Sequence, residues 1–186
     1  MRQRCCRRGW RVGVGSAVLK SASRLAVLSL CMFCCSANAV VENDFEPPAP
    51  WVEGTFTLPP PPDKTAFEPF YVSAVTNNDF YLDRHTLAIG DDGVTRYTMV
   101  VRSSSGAETA TFEGIRCQSA EWKMYATASR SGQWIPVRAS AWRLIEESNL
   151  NRARAALAKE YICDNGIQVR SVPEILTKLR RSMSRY

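Results

Sequence analysis

Short segments of alternating apolar and polar residues, separated by tight turns, fill the middle of the chain from residue 70 to residue 128. The sequence Gly90-Asp91-Asp92-Gly93 is typical of a hairpin turn, because Asp-Gly readily accepts the positive φ that such turns need. Turns this short connect only antiparallel neighbours. The pattern therefore predicts an antiparallel meander of about five strands, in segments 71–75, 80–89, 94–102, 109–117 and 121–128, with Gly114 marking a bulge.

Helical periodicity follows the strands. Leu150, Ala153, Leu157 and Tyr161 recur at helical spacing, and Gly166 is a candidate stop. A second helix is predicted from a capping box at Ser171 and Glu174 and from an apolar stripe made by Val172, Ile175, Leu176, Leu179 and Met183. Strands followed by helices indicate an α+β fold, with two or three C-terminal helices packed on one face of the sheet.

A proline-rich segment precedes the strands. Eight of the ten prolines lie between residues 40 and 69, including a run at 59–62, which indicates extended chain. The same stretch contains Trp51, Phe56 and Phe67, which a solvated linker would not need. We expect an arm that lies against the domain from Trp51 onwards. The alternative is a proline-rich ligand for a partner protein.

The first 39 residues have the features of an export signal. They hold seven of the 24 basic residues and none of the 18 acidic ones, followed by an apolar run at 25–35. The small residues Ala37 and Ala39 then predict cleavage between Ala39 and Val40. We expect an exported, periplasmic protein with four parts: signal peptide 1–39, arm 40–69, α+β domain 70–170 and basic amphipathic helix 171–186.

The net charge of +6 belongs to this leader, because the rest of the chain has 17 basic and 18 acidic residues. Nucleic-acid binding needs a basic surface on the folded part, so a nucleic acid is not an expected partner. A lipid anchor is disfavoured as well, because Leu30 precedes Cys31 and Phe33 precedes Cys34, where a lipidation signal needs a small residue.

Five of the seven cysteines lie in the leader, which leaves Cys117 and Cys163. In an oxidising compartment two thiols most simply form one disulfide. The competing interpretation is a catalytic or metal-binding thiol. Because His85 is the single histidine and no Cys-x-x-Cys pair follows the leader, we predict the disulfide, with no metal site and no cofactor.

A resemblance to a known family lies in four segments of the strand region and in four residues after it. The segments are 80–83, 87–97, 112–117 and 123–126, and the residues are Trp134, Trp142, Tyr161 and Cys163. Together they resemble the CNP1-like family of exported proteins from Gram-negative bacteria. The resemblance extends from about Trp51 to about Cys163. It implies export, and it implies no established activity and no catalytic residues.

Carboxylates are the remaining candidates for catalysis. Asp83, Glu113 and Asp91 lie on or between predicted strands, and two of them held a few ångströms apart could act as acid and base on a glycan. The competing interpretation is structural: Asp91 fits the hairpin turn, while Asp83 and Glu113 pair with Arg84, Arg96 or Arg116 across strands.

The functional expectation is therefore binding or structural support in the cell envelope, with an envelope protein or a glycan as partner, rather than catalysis. Trp122, Trp134 and Trp142 are candidates for a binding face on the uncovered side of the sheet. Lys178, Arg180 and Arg181 are candidates for peripheral contact with a membrane, or else form a solvated helix face. The alternatives are a periplasmic hydrolase that uses carboxylates and an outer-membrane-associated protein held by a lipid or by the basic helix.

Overall fold

Strands that follow one another in the sequence form the main sheet. The computed structural model describes residues 47, 49–148 and 151–185, so the predicted leader and its Ala39/Val40 cleavage site lie outside the described residues. Within that part of the chain the antiparallel sheet has the order β1 to β6, and β7 pairs with β5. Its strands are β1 Phe67–Pro69, β2 Asp79–Ile89, β3 Val94–Arg102, β4 Glu108–Arg116, β5 Glu121–Ala128, β6 Trp134–Pro136 and β7 Arg143–Leu144. The predicted meander is confirmed.

The first strand lies earlier than predicted. Segment 71–75 forms no strand, and Phe67–Pro69 is the edge strand that pairs with β2. The ladder closes with the backbone N–H of Phe70 donating to the carbonyl of Phe80 at 3.0 Å. Beyond it, the carbonyl of Tyr71 accepts a hydrogen bond from the Tyr161 hydroxyl at 3.0 Å. A tertiary contact therefore removes this segment from the sheet, which local alternation cannot reveal.

The two faces of the sheet have different covers. On β3, Tyr97 and Met99 point to the side where the helices pack, which we call the helix face, while Arg96 and Thr98 point to the opposite side. The main core lies on the helix face. There the fully buried Leu82 and Tyr97 of the sheet pack in one cluster with helical residues such as Leu179.

The helices follow the strands, as predicted. Helix α1 spans Arg152–Ala156 and continues as a π-helix at Leu157–Ile162, helix α2 spans Val172–Met183, and short 3-10 helices occupy Lys64–Ala66 and Cys117–Ser119. No helix among the described residues is long and apolar enough to cross a membrane. The predicted capping box is not formed: the Ser171 side chain makes no cap bond, and Glu174 accepts from the backbone N–H of Arg170, at 3.2 Å, and not from that of Ser171.

A disulfide joins the end of the π-helix to the end of β4. Cys117 and Cys163 are bonded, with their Cα atoms 5.6 Å apart, so the predicted bridge is confirmed. Cys163 begins the hairpin formed by β8 Cys163–Asp164 and β9 Ile167–Gln168. Gly166, at φ 80°, lies in the turn of this hairpin. The helical segment therefore ends at Ile162 and not at Gly166, because the bridged residue already belongs to a strand.

The proline-rich segment lies across the second side of the sheet, which we call the arm face. The indole N–H of Trp51 donates to the carbonyl of Asp92, in the β2–β3 turn, at 2.8 Å. Further along, the Phe56 ring lies 4.3 Å from the Tyr125 ring, and the Trp134 indole donates to the carbonyl of Pro59 at 2.8 Å. The arm thus runs from one end of the sheet to the other, which confirms the predicted extended arm.

Candidate ligand-binding cleft

Asp83, the first predicted carboxylate, is a structural residue on the arm face. It is 1% exposed, and its two oxygens accept the backbone N–H groups of His85 at 2.9 Å and Asp63 at 3.2 Å. The register of β2 shifts between Asp83 and Ala88. Asp83 therefore holds this irregular part of the strand and fixes the end of the arm to it.

Glu113, the second predicted carboxylate, is fully buried on the helix face. Arg154 of α1 holds it with two hydrogen bonds of 2.6 and 2.8 Å, and the Tyr97 hydroxyl lies 3.3 Å away. Burial lowers the pKa of Arg154, but the hydrogen bond and charge of Glu113 raise it by more. The predicted partners Arg84, Arg96 and Arg116 are wrong, because α1 supplies the cation from outside the sheet.

The three predicted carboxylates do not share a cleft. Asp83 pairs with Thr98 in the β2–β3 register, whereas Glu113 pairs with Tyr97 in the β3–β4 register, so the two side chains point to opposite faces. Asp91 is exposed in the β2–β3 turn. An acid and a base acting on one bond must lie on the same side of it, and these residues do not provide that arrangement.

The three tryptophans also divide between the two faces. Trp122 is 7% exposed in the helix-face core, with the Arg154 guanidinium stacked 3.8 Å above its ring. Trp134 and Trp142 lie on the arm face, where Trp142 meets Trp51 edge to face at 5.6 Å. The side of the sheet expected to be uncovered is occupied by the arm, so these side chains do not form one exposed face.

A carboxylate that sequence reasoning missed anchors the arm. Glu53 accepts hydrogen bonds from Lys123 and from the Tyr125 hydroxyl, each at 2.7 Å, and from the Trp142 indole at 3.3 Å. Burial raises the pKa of Glu53, but these hydrogen bonds and the charge of Lys123 lower it by more, so the pKa lies below its ordinary value. Nothing near Glu53 in the sequence signals this role, because its hydrogen-bond partners come at least 70 positions later.

An open cavity of about 880 Å³ lies on the helix face, at the end of the sheet nearest the β3–β4 turn. Its floor consists of Phe80, Met99 and Val101, and Val72 forms part of its wall. Thr111, at 8% exposure, also lines it, and its hydroxyl has no hydrogen-bond partner within the described residues. Buried hydroxyl groups normally have a partner, so this one, whose oxygen is enclosed by protein, is an exception to that rule.

The predicted basic residues of α2 have separate environments. Arg180 forms an ion pair with Glu68 at 2.7 Å, and Lys178 lies 3.7 Å from Glu174. Arg181 instead lines a second cleft, of about 370 Å³, which we call the basic cleft. The basic cleft is lined by Tyr71, Val72, Glu160, Tyr161, Lys178, Arg181, Ser182 and Arg185.

Two of these basic side chains have no acidic partner. Neither Arg181 nor Arg185 forms an ion pair within the part of the chain that the structure describes. Val72 lines both the basic cleft and the cavity, so the two lie next to each other.

The alternation of apolar and polar residues in the sequence identifies which side of β3 is apolar. It does not show how much of that side the helices cover.

Comparison with known proteins identifies one family. The sequence profile of the CNP1-like family matches residues 46–180, which includes all strands of the sheet and most of α2. No curated protein and no solved structure matches the chain. The profile extends beyond Cys163, where the sequence resemblance ended, to Arg180, and so includes Lys178 of the basic cleft but not Arg181 or Arg185.

Proposed function

The chain belongs to the CNP1-like family, and we propose that it is an exported, periplasmic protein that binds a small ligand in the helix-face cavity.

Export is supported by the leader and by the cysteines. Residues 1–39 combine a basic stretch, an apolar run and a small-x-small site, in the order that signal peptides use. The disulfide between Cys117 and Cys163 suits an oxidising compartment, since cytosolic thiols are kept reduced.

The intact mass of the protein recovered from cell fractions tests export. We expect a soluble periplasmic species that begins at Val40 and that gains two hydrogen atoms on reduction. A retained leader, or a lipid attached to a cysteine in the membrane fraction, would contradict the proposal. Release from membranes by high salt alone would indicate attachment through the basic helix instead.

Binding is supported above all by the cavity. Its volume of about 880 Å³ lies within the range of about 300 to 1,000 Å³ that is common for small-molecule sites. Phe80, Met99 and Val101 supply apolar lining, and the exposed Thr109 supplies polar lining. Asp83 and Glu113, in contrast, both use their oxygens in structural hydrogen bonds, which favours binding over carboxylate catalysis.

An uncharged apolar dye, N-phenylnaphthylamine, tests the cavity. We expect its fluorescence to rise on binding to the native protein, and we expect Thr109→Trp to abolish that rise. Thr109 is an exposed strand residue that lines the cavity, so a larger side chain there fills space without entering the core. Ile135→Trp, at an exposed position of β6 outside the cavity, is the matched control. Equal dye binding by both variants, or no binding by the native protein, would overturn the assignment of the cavity.

A further inference from the structure

The cavity and the basic cleft share a wall at Val72, and a third cleft adjoins both. That third cleft, of about 330 Å³, is lined by Val72, by Arg152, which it shares with the cavity, and by Glu160, which it shares with the basic cleft. The apolar lining of the cavity and the positive charge of the basic cleft therefore both lie beside Val72. A ligand that passes Val72 would meet both.

The charge of α2 is concentrated on the side of the basic cleft. Arg180 is neutralised by Glu68, which also lies 3.8 Å from Arg84. In the basic cleft, Arg181 and Arg185 share the lining with a single carboxylate, that of Glu160, while Lys178 lies 3.7 Å from Glu174. Unpaired guanidinium groups bind phosphate and carboxylate oxygens with directed hydrogen bonds. The basic cleft thus has the chemistry to hold one anionic group.

The apolar side of the ligand site lies in the cavity. Phe80 and Val101 are only partly buried, although they pack against the main core, and the buried Met99 lies beside them. Covering such side chains with methylene groups removes apolar surface from water, which favours binding. The cavity and the basic cleft together match a molecule with an apolar part and an anionic part.

We propose, building on the proposed function, that the ligand is a single-chain anionic amphiphile whose tail lies in the cavity and whose negatively charged headgroup contacts Arg181 and Arg185. Lys178 lines the same cleft, with Glu174 3.7 Å from its ammonium group. Such a ligand carries a phosphate or carboxylate headgroup on one apolar chain.

The experiment is displacement of N-phenylnaphthylamine from the full native protein by lipids below their micelle concentration. We expect lysophosphatidylglycerol, which is anionic, to displace the dye at about tenfold lower concentration than lysophosphatidylcholine of the same chain length, which is zwitterionic. The double variant Arg181→Ala/Arg185→Ala should remove this preference and leave the affinity for lysophosphatidylcholine unchanged. Arg180→Ala is the matched control on the same helix and should keep the preference, because Glu68 already neutralises Arg180.

The other outcomes separate this proposal from the one on which it rests. If both lipids displace the dye equally and the double variant has no effect, the headgroup assignment is wrong while the cavity stands. If no dye or lipid binds, the cavity assignment itself fails. Calorimetric titration with inorganic phosphate distinguishes the two sources of the anion: binding as tight as that of lysophosphatidylglycerol, abolished in the double variant, would make a free anion the ligand. Binding to phosphatidylglycerol vesicles without binding of the single lipid would overturn the proposal in favour of a membrane surface.

Discussion

The carboxylate of Glu113 on β4 and the guanidinium of Arg154 on α1 form a bidentate ion pair in the core between the sheet and the helices. Glu113 is fully buried, and the side chain of Arg154 is 11% exposed. We expect Arg154→Met to destabilise the protein by about 3 to 5 kcal/mol, because it leaves a buried charge without its partner. Unfolding in urea, followed by circular dichroism, measures the loss.

The double variant Glu113→Leu/Arg154→Met is the control for that prediction. We expect it to recover most of the lost stability, since both charges are then absent from the core. A double variant that is as unstable as the sum of the two single variants would show that the pair acts through packing and not through charge.

The disulfide closes a loop whose ends are 46 positions apart. Chain-entropy arguments assign about 4 kcal/mol to such a loop. We expect Cys117→Ala/Cys163→Ala to lower the free energy of unfolding by about this amount. Alanine is chosen over serine because serine would place a hydroxyl group at the buried Cys117 position. Denaturant unfolding of the variant, beside the native protein with and without reductant, checks the value. A loss below about 1 kcal/mol would mean that the two segments stay in contact without the disulfide, so that the bond itself adds little stability.

Acid should weaken the attachment of the arm. The pKa of Glu53 lies below its ordinary value of 4.5, and Arg96 and backbone N–H groups hold the pKa of Asp92 below its ordinary value of 3.8 against the opposing effect of burial. Each carboxylate is therefore deprotonated more readily in the folded chain than in the unfolded one. Their contribution to stability is complete above these ordinary values and is lost as the pH falls through the lowered ones.

Melting temperatures measured between pH 7 and pH 3 test this dependence. We expect Glu53→Gln to melt lower than the native protein at pH 7 and to lose less stability on acidification, because its share of the titration is gone. Asp91→Asn, in the exposed part of the β2–β3 turn, is the control and should follow the native curve. An unchanged acid dependence in Glu53→Gln would contradict the role given to Glu53.

Asp83 should prove structural and not catalytic. In Asp83→Asn one carboxylate oxygen becomes an N–H donor, so one of the backbone N–H groups of Asp63 and His85 loses its acceptor. We expect a loss of about 1 to 3 kcal/mol in the free energy of unfolding. Thermal unfolding of Asp83→Asn and of Asp91→Asn gives the comparison, and equal stability of the two variants would sink the assignment.

Tight turns explain why the strands could be predicted closely. Segments 94–102 and 121–128 are observed as β3 and β5 with the same bounds, since short polar turns limit where a strand can end. The bulge expected at Gly114 lies on the neighbouring strand, where the register shifts opposite Phe112 and Glu113. Gly114 gives it room, because a Cβ atom there would lie 2.6 Å from the Tyr125 hydroxyl oxygen.

Contacts between distant parts of the chain explain what the sequence did not reveal. Arg154 comes 41 positions after Glu113, and local spacing cannot indicate which helix will lie over a given strand. The same holds for Glu53 and its partner Tyr125, 72 positions later. The cavity exists because the helices leave part of the helix face open. Hydrophobic periodicity in the sequence does not predict how large that part is.

The arm also constrains the order in which the molecule can be completed. The residues that receive it, Lys123, Tyr125 and Trp142, follow Glu53 by 70, 72 and 89 positions. A ribosome makes the arm long before it makes these partners, so the hydrogen bonds of Glu53 cannot all form until the chain has reached Trp142. Contacts over such separations form slowly, because a long loop must close before any of them can stabilise the fold. The first part of the domain to be synthesised therefore completes its contacts only after β6 has been made.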